Sequence, residues 1–139
     1  VTCSTIINQD NSIPQQSAEG TLVISATITP TNANNKLRIE FDADCVGHSS
    51  GGYILVALFQ DATEDALKAG VAFYFSSGLA GSPVRLVHTM TAGTILATTF
   101  KIHIGPAGAF SAYVNADNTG TRLFGGVSSA NLRITETKV

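Results

Sequence analysis

Lys36-Leu37-Arg38-Ile39-Glu40-Phe41-Asp42-Ala43-Asp44-Cys45 alternates without a fault between charged and apolar residues. Leu37, Ile39, Phe41, Ala43 and Cys45 fall on one side of an extended chain, and Lys36, Arg38, Glu40, Asp42 and Asp44 on the other. A period of two is the mark of a half-buried strand, because successive side chains leave a pleated backbone on opposite faces. Wound into a helix, the same residues would be mixed around the cylinder. This segment therefore predicts a strand with one wet face, and it sets the fold class.

Working upstream, Thr21–Ile28 reads as another strand, with Leu22, Ile24, Ala26 and Ile28 inward. The cluster Thr29-Pro30-Thr31-Asn32-Ala33-Asn34-Asn35 is rich in turn formers, so the two strands are expected to form an antiparallel hairpin. A short strand over Cys3–Ile7 is predicted to begin the chain. Asn8–Gly20, polar and irregular, should run over the surface. Downstream, Tyr53-Ile54-Leu55-Val56-Ala57-Leu58-Phe59 is apolar at every position, so both of its faces should be covered. Either a neighbouring subunit or a loop of the same chain could cover the outer one.

Asp61–Gly70 carries the only helical signs: Asp61 with Glu64 three residues later, a Glu64/Lys68 pair and a stop at Gly70. A turn or two of helix, or simply a loop, is expected there. Strands follow over Val71–Phe75, Val84–Met90, Ile95–Ile104, Phe110–Asn115, Arg122–Gly126 and Asn131–Lys138. Turns are expected at Ser77-Gly78, Gly81-Ser82-Pro83, Ala92-Gly93, Gly105-Pro106, Asn118-Thr119-Gly120 and Gly125-Gly126. Short strands at this spacing in 139 residues predict one all-β domain over 1–139, an antiparallel, jelly-roll-like sandwich.

Composition narrows the function classes. Only 13% of residues are charged, against about 25% in an ordinary soluble domain. Such a surface suits burial against further copies of the chain. The net charge is −2 and no basic run occurs, so nucleic acid has no electrostatic footprint. The longest apolar run is far shorter than the roughly 20 residues of a membrane span, and the first residues lack the pattern of a signal peptide. The missing initial Met suggests a piece of a longer chain. Cys45 continues the inward alternation and reads as a small buried hydrophobe, with a bridge to Cys3 as the alternative.

Catalytic patterns are sparse. Gly47-His48-Ser49-Ser50-Gly51-Gly52 contains a serine and a histidine, but not in the G-x-S-x-G spacing of a hydrolase elbow, and it reads as a flexible turn. His103 alternates with Phe100, Ile102 and Ile104 and should face outward; His88 lies in a strand between Val87 and Thr89. No pair of histidines or cysteines has metal-ligand spacing, and no phosphate loop is present. The expectation is no enzyme, no cofactor and no metal. Sugar recognition needs an aromatic face beside amides and carboxylates. Tyr113, Asn115, Asp117 and Asn118 offer that mix at a strand end, and His48, Ser49 and Ser50 beside Tyr53 offer a second.

Several phrases occur together in order: Ile13-Pro14-Gln15, Ile28-Thr29-Pro30, Asn35-Lys36-Leu37, Val56-Ala57-Leu58-Phe59-Gln60-Asp61, Met90-Thr91-Ala92-Gly93-Thr94, Thr98-Thr99-Phe100-Lys101, Arg122-Leu123-Phe124-Gly125-Gly126-Val127 and Arg133-Ile134-Thr135-Glu136. The set resembles a module at the C-terminal end of phage tail-fibre, tailspike and host-specificity-like proteins. That resemblance implies a homotrimer on the surface of a phage particle, assembled in the bacterial cytoplasm with other virion proteins and not inserted in a membrane. The function favoured on that basis is an adhesin at the tip of a fibre or spike, touching a bacterial surface glycan or protein; the two loop groups named above, chosen for their residue types, are the expected contacts. A capsid decoration or trimerisation protein is the structural alternative, and a capsule depolymerase the enzymatic one.

Overall fold

The computed structural model describes residues 1–77 and 79–139, and the side chains of all of these except 79 and 80. Among the described residues nine strands make two antiparallel sheets: β1 (Thr2–Cys3), β2 (Thr21–Ile28), β3 (Lys36–His48), β4 (Gly52–Gln60), β5 (Lys68–Phe75), β6 (Leu79–Thr91), β7 (Thr98–Pro106), β8 (Ala112–Val114) and β9 (Ala130–Thr137). One sheet runs β1-β8-β3-β6, with β9 also paired to β3; the other runs β2-β7-β4-β5. The protein is an all-β sandwich.

The alternation read from Lys36 to Cys45 is what holds the sheets together. Leu37, Ile39, Phe41 and Ala43 are buried against Ile54, Val56 and Leu58 of β4 and Phe100, Ile102 and Ile104 of β7. Burying such side chains contributes about 1.5–3 kcal/mol each. The alternation of burial runs through Cys45 and fails after it, since Val46, Gly47 and His48 are buried as well. Register shifts follow Ala43 and Val46, and there β3 changes neighbour: Lys36–Ala43 pair with β9, Val46–His48 with β8.

The expected hairpin is absent: β2 and β3 lie in opposite sheets, and the turn cluster between them crosses the edge of the sandwich. The crossing is tied by Asn35, whose side-chain amide donates to Glu136 at 2.7 Å and whose carbonyl accepts from Ala92 N at 2.8 Å. Alternation alone cannot choose between a hairpin and a crossover, because it reports faces and not partners. Leu22 is 49% exposed rather than inward, because an irregularity between Leu22 and Ile24 turns Val23 and Ile24 both toward the core.

Other boundaries move for local reasons. The first strand stops at Cys3, and the segment predicted to begin at Ile95 enters the ladder only at Thr98. Gly81-Ser82-Pro83 is no turn but lies within β6, while Gly78 falls outside the described residues. Arg122–Gly126 is not a strand: Phe124, Gly125 and Gly126 have φ of 51°, 59° and 91°, and a short 3-10 turn forms instead. No helix forms over Asp61–Gly70: residues 61–67 are loop, and Lys68 already opens β5. Asp61 has φ 50°, and its carboxylate is spent on Thr98 Oγ1 (2.8 Å) and Thr99 N (2.7 Å); Glu64 accepts from Ser17 N at 2.9 Å.

Residues 4–20 form a strap across the outer face of the β2-β7-β4-β5 sheet. Ile7 is 1% exposed and packs with Leu55, Ala57 and Phe59, the outward residues of β4. Glu19 fastens the strap to itself, accepting Asn8 N at 2.8 Å and Gln15 N at 2.7 Å. Gln16 N donates to Glu64 O at 2.7 Å, and Lys101 Nζ reaches both Gln16 Oε1 and Asp61 O at 2.6 Å. The doubly apolar strand is therefore covered largely by its own chain, and it no longer argues for a neighbouring subunit.

Candidate functional site

The two loop groups nominated from the sequence converge at one end of the sandwich. Tyr113 pairs with Gly47, and Ala112 with His48. The approach is close: a Cβ on Gly47 would meet Asp117 O at 2.4 Å. Ser49 N donates to Ser111 O at 3.0 Å, and Ser111 N returns a bond to Ser49 Oγ at 3.1 Å.

Convergence of backbone does not make a grasping surface here. His48 is not in a flexible turn; it ends β3 and is 0% exposed. Its ring lies 5.5 Å from Phe73 and 6.0 Å from both Phe75 and Phe110. Nδ1 donates to the Ser50 carbonyl, while Nε2 meets no hydrogen-bonding group among the described residues. Ser49 Oγ accepts from Ser111, so the imidazole is not paired with a serine hydroxyl as a nucleophile would require. Asn115 sits at φ 61° with its N–H on Cys45 O at 2.8 Å. Asp117 staples its own turn, accepting Thr119 Oγ1 at 2.7 Å, Thr119 N at 2.8 Å and Thr121 N at 2.9 Å. These bonds, the Thr119 hydroxyl foremost, hold its carboxyl below the usual range. Tyr113 is half-buried against Gly120, and Asn118 is half-buried; Ser49 and Ser50 alone of the seven are exposed.

A more open surface lies on the neighbouring edge, and the sequence did not single it out. Tyr53 and Tyr74 are directly opposite on β4 and β5, with ring centroids 4.7 Å apart. Tyr74 is 53% exposed, Tyr53 38% and Val71 51%. Val71 faces Leu55 across the ladder, and beyond it a groove runs between β5 and the strap, lined by Ile7, Pro14, Leu55, Gly70 and Val71, with Asp10 and Ser12 at its rim. β5 is an edge strand, so its outer backbone groups are available for pairing. Val71–Phe75 was legible as a strand, but nothing in one sequence says which strand ends a sheet.

Among the described residues no group of three or more His, Cys, Asp or Glu is placed to hold a metal. Cys3 and Cys45 are both buried thiols. Burial pushes the Cys3 thiol up to about 11 and raises that of Cys45, with Asp117 and Asp44 adding to the rise. Among the described residues no helix is long and apolar enough to cross a membrane.

The family model described as Pgp3 C-terminal domain matches residues 1–139, the whole sequence. The chain belongs to the Pgp3 C-terminal domain family. No curated protein matches it. Membership overturns the likeness to phage tail-fibre modules, and with it the placement on a virion and the roles of fibre-tip adhesin, capsid decoration and capsule depolymerase. The quoted phrases misled for a physical reason. Thr98-Thr99-Phe100-Lys101 opens β7 and Arg133-Ile134-Thr135-Glu136 lies within β9, and such alternation recurs in any antiparallel sandwich. The phrases reported the fold, which is common to many lineages. The Pgp3 C-terminal domain family is that of a Chlamydia plasmid protein associated with virulence.

Proposed function

We propose that this chain is a non-enzymatic binding and assembly domain of a virulence-associated protein, working as a homotrimer. The observation that carries this reading is the exposed Tyr53–Tyr74 pair, which spans β4 and the edge strand β5 beside Val71. Aromatic residues are enriched at the cores of protein interfaces and charge is depleted there. Tyr53, Tyr74 and Val71 are themselves uncharged, in a chain with 13% charged residues. A contact between unlike patches of successive copies closes into a ring, which leaves no patch exposed. The non-enzymatic reading is supported by the site geometry, since Asp117, Ser49 and His48 are each engaged in or buried by the fold itself.

Light scattering after gel filtration at low micromolar concentration tests the assembly. The expected mass is three times that of the chain, and Tyr74→Ser with Val71→Asp should return it to one. A monomer for the unaltered domain, or a trimer indifferent to this double change, overturns the proposed contact.

A further inference from the structure

The irregularity that sends Val23 and Ile24 of β2 inward leaves the Leu22 side chain outside, directly across the ladder from His103. Strand irregularities of this kind re-aim side chains next to functional sites. Leu22 lines an open groove on the outer face of the β2-β7-β4-β5 sheet, at the edge away from β5. Its volume is about 430 Å³, within the range of small-molecule sites. Three further parts of the chain line it: Gln16 of the strap, Glu64 of the loop before β5, and Lys101 and His103 of β7.

The polar groups are fixed by bonds within the fold, and each keeps some bonding capacity. His103 is almost wholly buried and donates from Nδ1 to Glu19 O at 3.0 Å. With Nδ1 as the donor, Nε2 of the neutral ring is an acceptor, and it bonds to none of the described residues. Lys101 Nζ donates to Gln16 Oε1 and to Asp61 O, both at 2.6 Å. An ammonium has three protons, so one remains. Glu64 Oε2 accepts from Ser17 N at 2.9 Å, and a carboxylate has room for further donors. The bonds from Ser17 hold that carboxyl below its usual range. The Asp61 carboxylate is spent on Thr98 and Thr99. Among the described residues that line the groove, Glu64 is therefore the anion and Lys101 the cation.

We propose that this groove binds a free amino acid with an aliphatic side chain. The α-ammonium donates to Glu64 and to His103 Nε2. The α-carboxylate accepts the remaining proton of Lys101, and the side chain lies on Leu22 beside Ala62. A ligand with a single charge leaves one of the two opposite groups unmatched, which costs more than a neutral bond contributes. Phosphate or sulfate groups meet the Glu64 carboxylate, and a cationic side chain meets Lys101. The proposal is independent of the Tyr53–Tyr74 contact, which lies toward the other edge of the sheet.

The test titrates L-leucine into the whole, isotope-labelled chain and follows its amide signals by NMR. The signals of Leu22, Glu64 and His103 should shift together and saturate with a Kd on the order of 1 mM, as suits a small ligand in an open groove. Isoamylamine and isocaproate each lack one of the two charges and should bind at least about tenfold more weakly, the worth of a hydrogen bond to a charged group. Glu64→Gln and Leu22→Ser, both at exposed positions, should each weaken leucine by about as much. Leu96→Ser, at an exposed leucine outside the groove, should leave binding unchanged. The rest of the spectrum reports that each variant keeps its fold. Absence of saturable shifts, shifts centred away from Leu22 and His103, equal binding of isoamylamine or isocaproate, or undiminished binding by either groove variant would each overturn the proposal.

Discussion

His103 Nδ1 donates to the carbonyl of Glu19 at 3.0 Å, joining the middle of β7 to the end of the strap. The imidazole also lies 4.8 Å from the ring of Phe59. Alternation in the sequence placed His103 on the outward face, and it is there, yet it is only 7% exposed. Outward is not the same as wet when another segment lies on top. Gly20, with φ 70°, makes the turn at this point, and a Cβ on it would lie 2.9 Å from His103 Cβ.

The strap should act as part of the core and not as a loose tail. Ile7→Ala removes the apolar cap from Leu55, Ala57 and Phe59 and should cost about 2–5 kcal/mol, the range for such truncations. Gly105→Ala should lift the strap by a different route, since the new methyl would meet Thr5 O at 2.4 Å and Ile7 Cγ1 at 2.9 Å. Urea unfolding measures the first; hydrogen exchange should show faster exchange over residues 4–20 in the second. Unchanged stability in both would mean the strap is not seated in solution as described.

The thiols of Cys3 and Cys45 should resist reagents in the native protein. Both are buried, and burial keeps Cys3 protonated to about 11, while the thiolate is the reactive form. Iodoacetamide at pH 8 should label neither within an hour, and both after unfolding in guanidinium chloride. Rapid native labelling of Cys45 would show that the end of the sandwich near Ala116 opens.

His88 should make the fold more sensitive to mild acid. It faces inward on β6 opposite Ile39, half-buried, and burial first and Lys68 second hold its pKa below the ordinary value of 6.5. The unfolded chain therefore binds the proton more readily. The contribution is complete above about pH 6.5, is lost as pH falls through the folded value, and flattens below it. His88→Leu should reduce the drop in melting temperature between pH 7 and pH 5. An identical drop in the variant would assign it to other groups.

Period-two patterning made the fold legible because each inward set, Leu37, Ile39 and Phe41 or Phe100, Ile102 and Ile104, is a local property of the chain. Sheet membership of β2 was not legible, since it depends on which strand waits at the far end of Thr29–Asn35. The two residue groups do meet, since Tyr113 pairs with Gly47, but Tyr113 lies in β8 and His48 in β3, not in loops. Their exposure was misjudged because Asp117 and His48 are polar residues used internally. The exposed Tyr53–Tyr74 pair escaped notice because edge position follows from topology.

His48 offers the sharpest check on that buried end. Its Nδ1 bond to Ser50 O is, among the described residues, the one polar contact of a ring otherwise set among Phe73, Phe75 and Phe110. A buried polar atom without a partner costs about 1–3 kcal/mol, whereas a made hydrogen bond contributes about 1 kcal/mol net. His48→Phe removes both, keeps a flat ring among aromatic neighbours, and leaves the carbonyl of Ser50, an exposed residue, to be hydrated. The variant should melt within a few degrees of the unaltered protein, while His48→Ala, which empties the space between three rings, should lose several kcal/mol as large-to-small core changes do. Differential scanning calorimetry on both variants separates the effects. A Phe variant as damaged as the Ala variant would mean that Nε2 is satisfied in solution, and that His48 is held there by a polar partner and not by its shape.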